Sequence, residues 1–256
     1  MSRRISLLLA CACLLSSCKP APSTLTIAVA SSMQFAMADL LKEFHTAHPG
    51  LTVKATYGSS GNFFAQIQNQ APFDVFLAAD MDYPARLVKA GLVLDELSPY
   101  AVGGLVLWVP KDSPLAVEKF GSSVLSDPDV KKIAIANPKL APYGAAAVAA
   151  LQSLKLYAQA EPKLVLGENI AQTAQFVESG AADIGFLALS HALAPQMKDK
   201  GRFWEVPSDA FPPIQQGMVI VKHTPNADAA RTFREFLLGP AAGRILQRHG
   251  FKLSVK

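Results

Sequence analysis

Leu25-Thr26-Ile27-Ala28-Val29-Ala30-Ser31-Ser32-Met33 decides how the chain folds. Leu25 to Val29 is a short apolar run that reads as a buried strand. It ends at Ala30-Ser31-Ser32, and a helical pattern takes over at once. Met33, Met37, Leu40, Leu41 and Phe44 fall on one face, until His48-Pro49-Gly50 stops it. Strand, hydroxyl-bearing turn and amphipathic helix together form a βα step.

The step recurs outward along the chain. Leu51, Val53, Ala55 and Tyr57 alternate as a half-buried strand does, Gly58-Ser59-Ser60-Gly61 follows, and a helix runs from about Asn62 to Asn69. Phe73 to Ala78 is a strand, and Met81 to Ala90 is a helix closed by Gly91. Leu105 to Val109 is a strand stopped by Pro110. Ile133 to Ala136 is another, and Pro142-Tyr143-Gly144 opens an Ala-rich helix. Strand Leu164 to Leu166 precedes a helix from Ile170 to Ser179. Strand Ile184 to Leu187 precedes a helix opening at Ser190. Late on, a strand from Met218 to Val221 is followed by a helix from Asn226 or Ala227 to Leu238, and by a last helix to His249. The fold class is therefore α/β, in two lobes with a cleft between them. Each lobe is expected to be a mostly parallel sheet flanked by helices. No Gly/Ser linker marks a boundary, so the crossings are expected to be strands.

Composition excludes several classes. Half of the 256 residues are apolar and 17% are charged, so the chain is not disordered. The net charge of +4 comes without any Lys/Arg run, so no nucleic-acid partner is expected.

The N-terminus reads as an address. Arg3 and Arg4 precede an apolar stretch from Ile5 to Leu15, too short for a bilayer span of roughly 20 residues. Residues 1–17 form a signal peptide. Leu15-Ser16-Ser17-Cys18 resembles the bacterial lipobox, in which cleavage leaves a lipidated Cys at the new N-terminus. On that reading Cys18 is the lipidation site, residues 18–24 are a tether, and the body sits at the membrane surface. The alternative is an ordinary signal peptide cut near Ala21 or Ala28. All three cysteines (Cys11, Cys13, Cys18) lie in this region. A disulfide framework, a Cys metal site and a catalytic thiol are thereby excluded.

Four loops share one design: Ser31-Ser32, Ser59-Ser60-Gly61, Pro142-Tyr143-Gly144 and Glu168-Asn169-Ile170 each end a strand and start a helix. A helix N-terminus offers unpaired N–H groups and a partial positive charge, and so favours anions. In open α/β sheets ligands sit at the carboxyl ends of the strands, where these loops lie. Each loop alone reads more simply as N-capping; it is the set of four that points to a ligand.

Enzyme signatures are absent. Gly58-Ser59-Ser60-Gly61 is not a nucleophile elbow, and the chain has neither a phosphate loop nor a dinucleotide fingerprint. His45 and His48 read as a solvated helix end before a metal pair. Asp80 and Asp82 read as capping residues before a catalytic pair. Trp108 reads as core or hinge packing.

The linked motifs resemble one family over about Leu25 to Phe251: the periplasmic molybdate-binding proteins of bacterial ABC importers. Ala28-Val29-Ala30-Ser31-Ser32 and Tyr57-Gly58-Ser59-Ser60-Gly61 carry it first. Ala71-Pro72-Phe73-Asp74 through Ala79-Asp80 and Ala136-Asn137-Pro138 with Ala141-Pro142-Tyr143-Gly144 follow. Gly167-Glu168-Asn169-Ile170 and Gly185-Phe186-Leu187-Ala188 complete the set.

The resemblance implies a type II periplasmic-binding fold with two crossovers. The lobes would be residues 25–103 plus 217–256, and 104–216. It implies no catalysis and no cofactor. The partners would be molybdate or tungstate and a membrane permease, and the chain would be a monomer. Ser31, Ser32 and Ser60 would donate from the first lobe, and the Tyr143 and Ile170 amides from the second. Ser59, Gly61, Gly144 and Asn169 would support these loops. Some members use a Tyr hydroxyl where this chain has Ala188, and the Tyr143 hydroxyl is a candidate replacement. No Lys or Arg falls in the four loops, and a site of neutral donors suits a fully deprotonated dianion. Glu168 is expected to point away from it. The rival readings are another oxyanion such as sulfate, an organic anion, a secreted hydrolase, or a metal-binding lipoprotein using His45 and His48.

Overall fold

The computed structural model describes residues 23–254, so the leader and Cys18 lie outside the described residues. The strands are β1 (Ser23–Ala30), β2 (Leu51–Gly58), β3 (Val75–Ala78), β4 (Ser98–Gly103), β5 (Leu105–Pro110), β6 (Ile133–Ala136), β7 (Leu164–Gly167), β8 (Ile184–Ala188), β9 (Gly201–Glu205), β10 (Ile214–Ile220) and β11 (Lys252–Leu253). They form two sheets, ordered β11-β4-β10-β3-β1-β2 and β7-β6-β8-β5-β9. Each sheet is the centre of one lobe.

The expected two-lobed α/β architecture is present, and each sheet is mixed. β1 pairs parallel with β2 and β3, and β6 with β7 and β8. These pairs belong to the βα steps, where a helix carries the chain back to the start of the next strand. β10 runs antiparallel to β3 and β4, β11 to β4, and β5 to β8 and β9. β4, β5, β9 and β10 flank the two passages between sheets, and no returning helix separates them. From β4 to β5 the chain passes through Gly104 alone; from β9 to β10 it passes through residues 206–213. One crossing is thus nearly continuous strand and the other is a loop.

Both sheets are covered on both faces. Leu25, Ile27 and Val29 pack on Met37, Leu40, Phe44 and Phe233. The intervening Ala28 packs with Phe63, Phe64 and Ile67. In the second sheet Ile133 and Ile135 meet Ala147, Ala150 and Leu151, while Ala134 meets Ala174 and Val177. This alternation follows from side chains pointing to opposite faces along a strand. Trp108 is core, 1% exposed in β5. β2 is an edge strand, with Thr52, Lys54 and Thr56 exposed.

Register aligns the strand ends. Ala30 at the end of β1 pairs with Gly58 at the end of β2, and Ala136 at the end of β6 with Gly167 at the end of β7. The loops that follow therefore emerge side by side.

Candidate ligand-binding site

These strand ends meet across the cleft around one small cavity, about 10 Å³ of room for the centre of a water-sized sphere. Its first wall is Ala30, Ser31, Ser32, Gly58, Ser59, Ser60 and Ala79; its second is Ala141, Pro142, Tyr143, Asn169 and Ile170. None of these side chains is charged. A space of this size suits a ligand of a few atoms.

Each wall has a local cause. The Ser60 hydroxyl is 1% exposed and accepts the Ala79 N–H at 2.9 Å. With its acceptor role filled, its own proton is available to the cavity. Ser59 caps the helix Ser60–Gln68 by accepting the Asn62 N–H. The Ser32 hydroxyl is buried and, among the described residues, has no hydrogen-bond partner. An unpartnered buried hydroxyl in a cavity wall costs stability unless something binds there. The Ser32 carbonyl accepts from the Ser190 hydroxyl at 2.7 Å.

On the second wall, Ala141 caps the helix Pro142–Ser153 without any side-chain hydrogen bond. Pro142 has no N–H to lose at that position, and the Tyr143 amide follows it. A methyl group on Gly144 would overlap the Ala136 carbonyl oxygen, so glycine lets this helix start directly on the end of β6. The Asn169 side chain caps Ala171 and Gln172 at 3.0 and 3.1 Å, and the Ile170 amide lies ahead of that cap. Three helices of at least two turns thus aim their N-termini at one space.

Contacts across the cleft hold the lobes together. The Ser31 hydroxyl donates to Asn169 Oδ1 at 3.2 Å, and the Gly61 N–H to the Leu140 carbonyl at 2.8 Å. Tyr83 Oη donates to the Lys139 carbonyl at 3.1 Å. Glu168 does point away from the cavity: it is exposed, and its Oε1 accepts from Asn62 Nδ2 at 2.7 Å at the rim. Burial raises the Asp80 pKa to about 6, helped by Asp82 and opposed by the Tyr83 N–H and Arg86. Asp80 Oδ1 accepts that Tyr83 N–H, so it serves as a cap.

Ser31, Ser32, Ser59, Ser60, Tyr143, Asn169 and Ile170 all come together here. Gly61 and Gly144 do not line the cavity; they permit the close approaches behind it. His48 rests on Phe44 at 4.8 Å between ring centres, away from this space. Sequence reasoning missed Tyr100 and Gln216. Tyr100 Oη donates to Gln216 Oε1 at 2.8 Å, and Gln216 Nε2 lies 3.4 Å from Tyr143 Oη. The signal for Gln216 was a polar pair, Gln215-Gln216, leading into an apolar strand.

Residues 25–252 match the family of bacterial extracellular solute-binding proteins. The chain belongs to that family. This solute-binding protein is 41% identical over 239 residues to the molybdate-binding protein ModA of Azotobacter vinelandii, covering 92% of each chain. It is 32% identical to the putative ABC transporter substrate-binding lipoprotein YvgL of Bacillus subtilis, over 89% of this chain and 86% of that one. The solved periplasmic molybdate-binding protein of Azotobacter vinelandii superposes with a TM-score of 0.84 at 33% identity, over 90% of this chain and all of that one. The family expected from the motifs is the one found. The chain is therefore a binding protein, not an enzyme, with an extracytoplasmic location.

Proposed function

We propose that this solute-binding protein captures molybdate, and also tungstate, between its lobes and delivers it to the membrane permease of an ABC importer. The observation that carries this reading is the Ser32 hydroxyl, buried without a partner in an uncharged cavity that also receives three helix N-termini. Its similarity to proteins named for molybdate binding supports the same ligand.

The donors are Ser32, Ser60 and the amides of Ser31, Tyr143 and Ile170, with Ser59, Gly61, Gly144 and Asn169 holding them. Hydrogen bonds from neutral donors to an anion are charge-assisted and strong. They avoid the desolvation cost of a buried ion pair. Among the described residues the cavity wall carries no carboxylate to accept the proton of a hydrogen phosphate, so a hydroxyl would have to turn and accept it, giving up its own donation to the anion. Because the walls come from both lobes, ligand favours the closed arrangement over an open one. Hinging follows the two passages, at Gly104 and at residues 206–213, so the boundary expected at residue 217 moves to the start of β10 at Ile214. The protein acts as a monomer, anchored through a lipid on Cys18.

Thermal unfolding of the leaderless protein tests the ligand. A ligand that binds the folded state alone stabilises it by about 2.7 kcal/mol at a hundredfold excess over Kd. Molybdate and tungstate should raise the midpoint, while sulfate and phosphate should not. A rise with sulfate alone would keep the site and change the ligand. No rise with any oxyanion would overturn the reading.

A further inference from the structure

Tyr143 reaches from the helix start into the passage between the lobes. Its ring ends against Gly103, the last residue of β4, where an added methyl group would overlap the Tyr143 hydroxyl. Beside it stands Gln216 of β10, which is fully buried. The Tyr100 hydroxyl of β4 donates to Gln216 Oε1 at 2.8 Å. That contact occupies the carboxamide oxygen and turns Nε2 toward Tyr143 Oη, 3.4 Å away. Tyr143 Oη is then an acceptor for Gln216 and keeps its own proton to give. The Ser32 hydroxyl lies beside it, close enough to favour the Tyr143 anion yet without hydrogen-bond geometry. Burial holds both tyrosines well above the usual phenol pKa, so both keep their protons.

We propose that Gln216 is a positioning residue that makes the Tyr143 hydroxyl a donor toward the bound anion, and so sets the preference for fully deprotonated oxyanions over those that carry a proton. This rests on the oxyanion reading above. The accepting direction of the hydroxyl is taken by a side chain fixed from behind. At Tyr143 a ligand oxygen finds the proton, whereas a ligand O–H meets a hydroxyl whose accepting side Gln216 already engages. Freed from Gln216, the same hydroxyl can turn and accept.

The test is calorimetric titration with molybdate and with inorganic phosphate at pH 7, on the wild type, Gln216→Met, Tyr143→Phe and the double variant. Each single change should weaken molybdate roughly tenfold, the scale of one hydrogen bond to a charged group. The double variant should be no weaker than Tyr143→Phe alone. The ratio of molybdate to phosphate affinity should fall at least about tenfold in Gln216→Met. Tyr100→Phe, which releases the Gln216 oxygen, should move the ratio in the same direction by less, and carries the test if Gln216→Met fails to fold. Equal weakening by Gln216→Met in the Tyr143→Phe background would show a general structural role and overturn the proposal. So would an unchanged ratio in both Gln216→Met and Tyr100→Phe. A wild type that binds molybdate while these variants behave so removes this proposal alone; a wild type that binds no oxyanion removes the reading beneath it as well.

Discussion

The Gly61 N–H of one lobe donates to the Leu140 carbonyl of the other at 2.8 Å. The closed arrangement needs glycine here for space. A methyl group on Gly61 would lie 2.6 Å from Tyr83 Oη and 3.0 Å from the Leu140 Cα and carbonyl oxygen. Tyr83 can swing aside, but Leu140 presents backbone. Gly61→Ala should therefore prop the lobes apart and spare each lobe's own core. We expect molybdate affinity to fall at least about tenfold, in line with a cost of 1.4 kcal/mol or more. The ligand-free unfolding midpoint should stay close to wild type. Calorimetric titration and thermal unfolding, run side by side, check both halves.

Ser32 and Ser60 line the same wall but stand in different hydrogen-bonding situations. The Ser32 hydroxyl has no partner, whereas the Ser60 hydroxyl accepts the buried Ala79 N–H. Ser32→Ala should weaken molybdate by about 1.5–3 kcal/mol and raise ligand-free stability, by up to about 1–3 kcal/mol, because it removes a buried hydroxyl that has no partner. Ser60→Ala should weaken binding similarly. It should also destabilise the ligand-free protein by about 1–3 kcal/mol, because the Ala79 N–H loses its acceptor. Equal ligand-free stabilities for the two variants would contradict this contrast.

Gly144→Ala tests the closeness of the Tyr143 helix to β6. The added methyl would overlap the Ala136 carbonyl oxygen, and backbone cannot move aside as a side chain can. We expect a loss of about 1–3 kcal/mol in stability, the scale of overpacking. A weaker anion site should accompany it, since the Tyr143 amide shifts with its helix. Denaturant unfolding reads the first effect and titration the second.

His191 sets a pH window. It is 2% exposed, neither ring nitrogen has a partner among the described residues, and its ring meets Phe35 edge-on at 5.1 Å. Burial lowers its pKa from 6.5 to about 4. Above pH 6.5 both folded and unfolded chains hold it neutral. Below that the unfolded chain takes up the proton first, so stability falls from pH 6.5 toward pH 4. The loss over this window is about 3 kcal/mol. His191→Leu should flatten the pH dependence of the unfolding free energy there. A slope unchanged by that substitution would contradict the assignment.

The site was legible because its chemistry is local. Ser32, Ser60 and Ile170 each follow a strand end by two or three residues, and Tyr143 opens the helix after β6, so local spacing brings all four to the cavity wall. Gly58-Ser59-Ser60-Gly61 could be read as an anion loop before any partner for it was known. What was not legible depends on tertiary register. β4 (Ser98–Gly103) contains Pro99 and runs into Gly103-Gly104, so it shows no strand pattern, and Tyr100 went with it. β9 (Gly201–Glu205) is half-exposed at a sheet edge, and β11 is two residues long. β10 begins at Ile214 instead of Met218 because Gln215, Gln216 and Gly217 interrupt its apolar run at a bulge. The mixed sheets came from the passages between lobes, which a repeating βα rhythm does not announce.

Calorimetric titration of the leaderless wild type with sodium molybdate tests the central claim most directly. The account predicts one molybdate per chain with a Kd of about 1 µM or tighter, equivalent to about −8 kcal/mol. Tungstate should displace it, and a large excess of sulfate or phosphate should not. Absence of binding heat at any temperature, or displacement by sulfate at equal concentration, would contradict the account.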